Sequence, residues 1–178
     1  VLRMSHHIKR NEIGFHCTDN TGAIGYGEEK LHYINGRKIP NWVFDKYFNK
    51  TLTFEDFTKE TNEDVRAGIV TLIKENEGNQ GLLKFLKAKL VDSCEIVHEK
   101  GYIETINLYK TKQKYKFLVD SKGNKNCPYA WTEMKCPSTG QTYLIDTCSS
   151  MKTALESIKF HRPSNVPFDL EYKWISAS

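Results

Sequence analysis

The apolar positions change period along the chain, and each change marks an element. Val65, Ile69, Leu72 and Ile73 recur at i, i+4, i+7 and i+8, a stripe along one face of a helix. Asn62 is placed to cap that helix, and Glu63 and Asp64 follow in the first turn, where unpaired N–H groups and the helix dipole favour negative charge. Gly78 and Gly81 interrupt the pattern, and Leu82, Leu83, Phe85, Leu86 and Leu90 predict a second short helix reaching about Lys89. Upstream, Thr53 predicts the cap of a short helix over Phe54–Lys59. From Leu90 onward the period falls to two. Residues 90–92, 95–98, 102–119, 129–135 and 142–146 read as strands, with turns at 121–126 and 137–140. Ser149 or Ser150 predicts the cap of a last helix over 151–160, with Met151, Ala154, Leu155 and Ile158 on its apolar face, and Pro163 and Pro167 predict an irregular tail.

The first fifty residues read as short strands and turns, punctuated by Gly22, Gly25, Gly27 and Gly36. Asn35-Gly36 is a two-residue hairpin signal, because both central positions of a type I′ turn need positive φ. Pro40 ends the second arm, since it has no N–H for a ladder. The expected class is α+β: an N-terminal β-hairpin, central helices, an antiparallel sheet and a closing C-terminal helix. Residues 1–50 form the hairpin region and residues 51–178 the helices and sheet, the two being continuous as one domain. Tyr33, Trp42, Phe44, Tyr47 and Phe48 read as the small core of the hairpin region.

Composition narrows this only a little. The 178 residues carry 39% hydrophobic and 27% charged side chains, enough for a core and unlike a disordered chain. The five cysteines, Cys17, Cys94, Cys127, Cys136 and Cys148, are odd in number and irregular in spacing. They read as reduced thiols of a cytoplasmic protein, not as a secreted disulfide framework. No apolar run reaches the ~20 residues of a membrane span, and residues 1–7 lead into no apolar signal-peptide core. No Walker sequence or GxGxxG loop is present, so no nucleotide cofactor is expected.

His16, Asp19, Gly22-Ala23, Tyr33, Asn35-Gly36 and Pro40-Asn41-Trp42-Val43 follow one another in an order that resembles a bacterial domain of unknown function (family number 6745). The resemblance continues through Asn62-Glu63-Asp64-Val65-Arg66, Pro137-Ser138-Thr139-Gly140-Gln141-Thr142-Tyr143 and Thr153-Ala154-Leu155-Glu156. The chain departs from that pattern in lacking a proline between Gly22 and Ala23, in Ala67, and in Asn76-Glu77-Gly78. The opening also resembles a single β-hairpin unit related to MORN motifs. These resemblances imply a fold and no catalytic residues.

The sharpest chemical pattern is a basic strand. Lys110, Lys112, Lys114 and Lys116 occupy alternate positions, and Lys122 and Lys125 follow; residues 110–125 hold six lysines and one acid, Asp120. Alternate strand residues share a face, so the row reads either as a lysine-protected edge or as a docking face for phosphates or an acidic partner. His16 and Asp19 read as turn-bonding groups beside Cys17. Zinc spacing is absent, although Cys127, Cys136 and Cys148 with His98 or His161 form a weaker candidate set. The leading expectation is a bacterial or bacteriophage interaction module without catalysis. It would bind a protein partner or a nucleic-acid backbone through Lys110, Lys112, Lys114, Lys116, Lys122 and Lys125, as an inhibitor encoded by a mobile element and aimed at a host nucleic-acid enzyme would. No cofactor, metal or membrane is expected. The alternatives are a thiol hydrolase or nuclease, built on Cys17 or Cys148 with His98 and Asp146, and a structural subunit of an oligomer.

Overall fold

The computed structural model describes residues 6–98, 100–120, 122–135 and 139–162 and the backbone of 171–177. The chain is α+β and divides into two compact units between Phe85 and Leu86. The central helices therefore group with the N-terminal strands, where the sequence reading set a boundary at residue 50.

In the first unit, β1 (His6–Ile8), β2 (Ile24–Tyr26) and β3 (Glu29–Leu31) form an antiparallel sheet. The hairpin expected at Asn35-Gly36 follows as β4 (Tyr33–Ile34) and β5 (Arg37–Lys38). Its turn residues have φ of 52° and 77°, the two left-handed positions of a type I′ turn. Residues 41–48, read as part of a strand-and-turn region, are instead the helix α1 (Asn41–Phe48), which buries Val43 and Phe44. Helix α2 (Phe54–Lys59) has the predicted cap: Thr53 accepts from the Asp56 N–H while the Asp56 carboxylate accepts from Thr53 N, the reciprocal capping box. Helix α3 (Glu63–Phe85) opens with Asn62 Oδ1 accepting from Asp64 N at 2.9 Å. It is broken at Gly78, whose φ of 75° and ψ of −177° leave the helical region. Ile39 packs so closely on Gly68 of α3 that a Cβ there would lie 2.5 Å from its Cδ1.

The second unit is a five-stranded antiparallel sheet in the order β10-β6-β7-β8-β9, built from β6 (Ala88–Val97), β7 (Ile103–Val119), β8 (Lys125–Lys135), β9 (Thr142–Thr147) and β10 (Glu171–Ala177). Three expectations are corrected here. The predicted helix end at Lys89 lies inside β6, which joins the two short strands expected at 90–92 and 95–98. The irregular tail contains β10, which adds a strand beside β6. The last helix, α4 (Ala154–His161), is capped by Thr153 and not by Ser149 or Ser150. The turn expected at 137–140 begins outside the described residues.

Helix α4 covers one face of the sheet. Ala154 and Ile158 pack with Cys94, Ile96, Ile106, Leu108 and Met134, and burial pushes the Cys94 thiol up to about 12. Buried carboxylates of the sheet hold both ends of this helix. A register shift between Leu90 and Asp92 re-aims β6, as bulges do, and Asp92 Oδ2 accepts from Ala154 N at 2.8 Å. At the other end Glu104, 2% exposed, takes two bonds from the Arg162 guanidinium, at 3.0 and 2.8 Å, and one contact from His98 Nε2 at 3.2 Å.

Candidate functional site

The ladder pairings isolate one part of the sheet. β6 begins at Ala88, opposite Thr111, and β9 ends at Thr147, opposite Ala130. Beyond those points, β7 from 112 to 119 and β8 from 125 to 129 pair only with each other among the described residues. They form a two-stranded ribbon that outruns the five-stranded sheet. Two register shifts lie within it, one between Lys110 and Lys114 and one between Tyr115 and Val119; such irregularities strengthen local twist and spoil an edge for further pairing.

The lysine row falls on this ribbon. Lys112, Lys114, Lys116, Lys122 and Lys125 are all exposed, and among the described residues none has a carboxylate within salt-bridge distance. Lys112, Lys114 and Lys116 are alternate strand positions, about 6.6 Å apart, while Lys122 lies in the turn and Lys125 opens β8. Lys110 does not belong to the row. The residue sits before the first register shift, opposite Ala130, and its Nζ donates to Ser149 O at 2.7 Å. Burial lowers its pKa. Strict alternation put it with the other lysines; the bond to Ser149 sets it apart from them.

Behind the lysines the ribbon is aromatic. Tyr115 packs against Phe117 and Tyr129, and Tyr129 stacks on Trp131. The turn joining the strands is braced by Asp120, whose Oδ1 accepts from Lys122 N and Asn124 N, both at 2.9 Å. These bonds hold the Asp120 carboxyl below the usual range, with the Asn124 side chain the largest cause. The one acid of the segment is therefore engaged by its own turn.

A cavity of about 350 Å³ opens along the ribbon, lined in part by Leu118, Val119, Pro128, Ala130, Cys148 and Phe160. It adjoins the lysines through the ladder: Lys114 stands opposite Pro128 and Lys125 opposite Val119. Asp120 and Asp146 also line it. Sequence reasoning did not find this cavity, because its walls come from three strands and a helix with no shared motif.

The thiol candidates are placed differently. Cys17 is buried, and its Sγ donates to Asp19 Oδ1 at 3.1 Å. Burial raises its pKa, which opposes a nucleophilic thiolate. His16 is occupied elsewhere: its Nδ1 accepts from Asn35 N at 3.1 Å, bracing the hairpin turn, and its Nε2 meets Glu75 at 3.0 Å. Asp19 accepts from Thr21 N and the Thr21 hydroxyl, a bond that holds its carboxyl far below the usual range. Both residues thus serve turns. In the second unit Cys148 and Asp146 share the cavity, whereas His98 is bound to Glu104. Cys136 lies outside the described residues. Among those described, no group of histidine, cysteine and carboxylate side chains is arranged to hold a metal ion, and no helix is long and apolar enough to cross a membrane.

No protein-family model matches the chain, and neither the curated proteins nor the solved structures include a significant match to it.

Proposed function

We propose that the protein is a non-catalytic interaction module that binds an anionic partner through the β7–β8 ribbon, a nucleic-acid backbone being the partner its chemistry fits best. The observation that carries this reading is the set of five exposed lysines, Lys112, Lys114, Lys116, Lys122 and Lys125, on a two-stranded extension with no acid bound to them among the described residues. Ammonium groups in such a row neutralise phosphates one by one and release counterions, which gives affinity without reading sequence. Lysine without arginine fits that role, because specific base contacts mostly use bidentate arginine, asparagine or glutamine. Edge protection explains lysines along β7, but not Lys122 and Lys125 at the ribbon's end. Lys110, engaged with Ser149, is a structural member of the sheet.

Retention on a heparin matrix tests the reading. The Lys112→Glu/Lys114→Glu/Lys116→Glu variant should elute at much lower salt than wild type. Lys38→Glu/Lys59→Glu/Lys84→Glu carries the same change of net charge on residues of the first unit and should elute close to wild type. Equal loss of retention in both variants would reduce the effect to overall charge and remove the ribbon from the account.

A further inference from the structure

We propose that the cavity along the ribbon takes an unpaired base of a single-stranded nucleic acid whose phosphates lie along Lys112, Lys114, Lys116 and Lys125. The inference rests on the ribbon reading and names its partner. Its basis is a juxtaposition: Pro128 and Val119 line the cavity, and their direct ladder partners are Lys114 and Lys125. Opposed residues of an antiparallel pair have Cβ atoms about 5 Å apart on one face. Cation and cavity are therefore immediate neighbours.

The chemistry of the lining decides which part of a nucleotide each element receives. Leu118, Pro128, Ala130 and Phe160 give the cavity apolar walls, and Phe160 is an aromatic side chain on that lining that is 49% exposed. Asp120 and Asp146 on the same lining repel phosphate. The base goes in and the phosphates stay out on the lysines. A volume of about 350 Å³ lies at the small end of ligand sites, in keeping with one base and not an extended ligand. A duplex keeps its bases paired and stacked, so it would use the lysines and leave the cavity unused. An acidic protein surface would do the same. Single strands offer phosphate and free base alternately, and proteins that hold them combine a basic track with aromatic contacts.

The test compares three probes at one salt concentration by fluorescence anisotropy: a labelled 12-nucleotide single strand of mixed sequence, the blunt duplex formed from it, and a heparin oligosaccharide. The strand should bind more tightly than the duplex. Phe160→Ala should weaken the strand by about tenfold, within the range for loss of one base–aromatic stack, and leave heparin unchanged. As a measurement independent of that variant, the strand should slow alkylation of Cys148, which is partly exposed on the cavity wall, while heparin should not. A duplex that binds as tightly as the strand, or a Phe160→Ala protein that binds every probe like wild type, overturns the cavity assignment and leaves the ribbon reading standing. Failure of all three probes to bind at low salt overturns both.

Discussion

Glu104 shows what a single buried charge does in this fold. Its carboxylate side chain is 3% exposed, beneath the C-terminus of α4, with Arg162 holding both oxygens and His98 close to one of them. Removing Arg162 leaves a buried anion without its main partner, a situation that costs about 3–5 kcal/mol. Arg162→Ala should therefore lower the chemical-denaturation stability by about that amount, and Glu104→Gln in the same chain should restore part of it. If Arg162→Ala costs less than 1 kcal/mol, water reaches the carboxylate and the clamp is not a buried ion pair. His32 gives a second prediction at this scale. It is 3% exposed and stacks on Phe44 with ring centroids 3.8 Å apart. Burial, followed by the Lys30 charge, lowers its pKa below the ordinary value near 6.5, with Asp45 and Asp19 acting weakly the other way. The unfolded state then binds a proton more readily than the folded state. The stability from neutral His32 is fully present above pH ~6.5 and is lost as the pH falls from there through the folded pKa. His161 is shifted in the same direction, by burial and then by Arg162. Thermal melts should show stability declining from pH 7 to 5, less steeply in His32→Phe; identical slopes would remove His32 from the cause.

At the scale of elements, the kink in α3 is conformational and not steric. Gly78 has φ of 75° and ψ of −177°, and a Cβ there would meet nothing within 4 Å. This backbone region is essentially confined to glycine, at a cost of about 1–3 kcal/mol for other residues. Gly78→Ala should destabilise the protein by about that much in denaturant unfolding; a neutral substitution would mean that the helix straightens at no cost. The break itself was readable in the sequence, as were the caps at Thr53 and Asn62 and the turn at Asn35-Gly36, because each rests on local backbone chemistry. Helix α1 was not. Asn41–Phe48 carries four aromatics and no polar cap, Pro40 having no side-chain bond to offer, and burial of Val43 and Phe44 overrides that local preference. Strand β10 was hidden for a related reason: two prolines precede it, and its pairing with β6 is a contact made across the sequence. The basic row was legible from alternation alone, but the bond that removes Lys110 from it is made to Ser149, 39 residues away in the sequence. The cavity beside it depends on three strands and α4 together.

At the scale of the whole molecule, the mild net charge of +4 is unevenly distributed. Five ammoniums share one ribbon while its single acid is bound within its own turn. On the proposed reading such a surface would bind in proportion to the phosphates it neutralises, and its affinity would fall with salt in a predictable way. The most direct measurement is the slope of log affinity against log salt for a single-stranded oligonucleotide, in wild type and in the Lys112→Glu/Lys114→Glu/Lys116→Glu variant. At about 0.7 per phosphate, wild type should approach a slope of about −3.5 if all five lysines engage, and the variant should fall to about −1.4 or shallower. Equal slopes in the two folded proteins would contradict the account, since the lysines of the ribbon would then neutralise no phosphate.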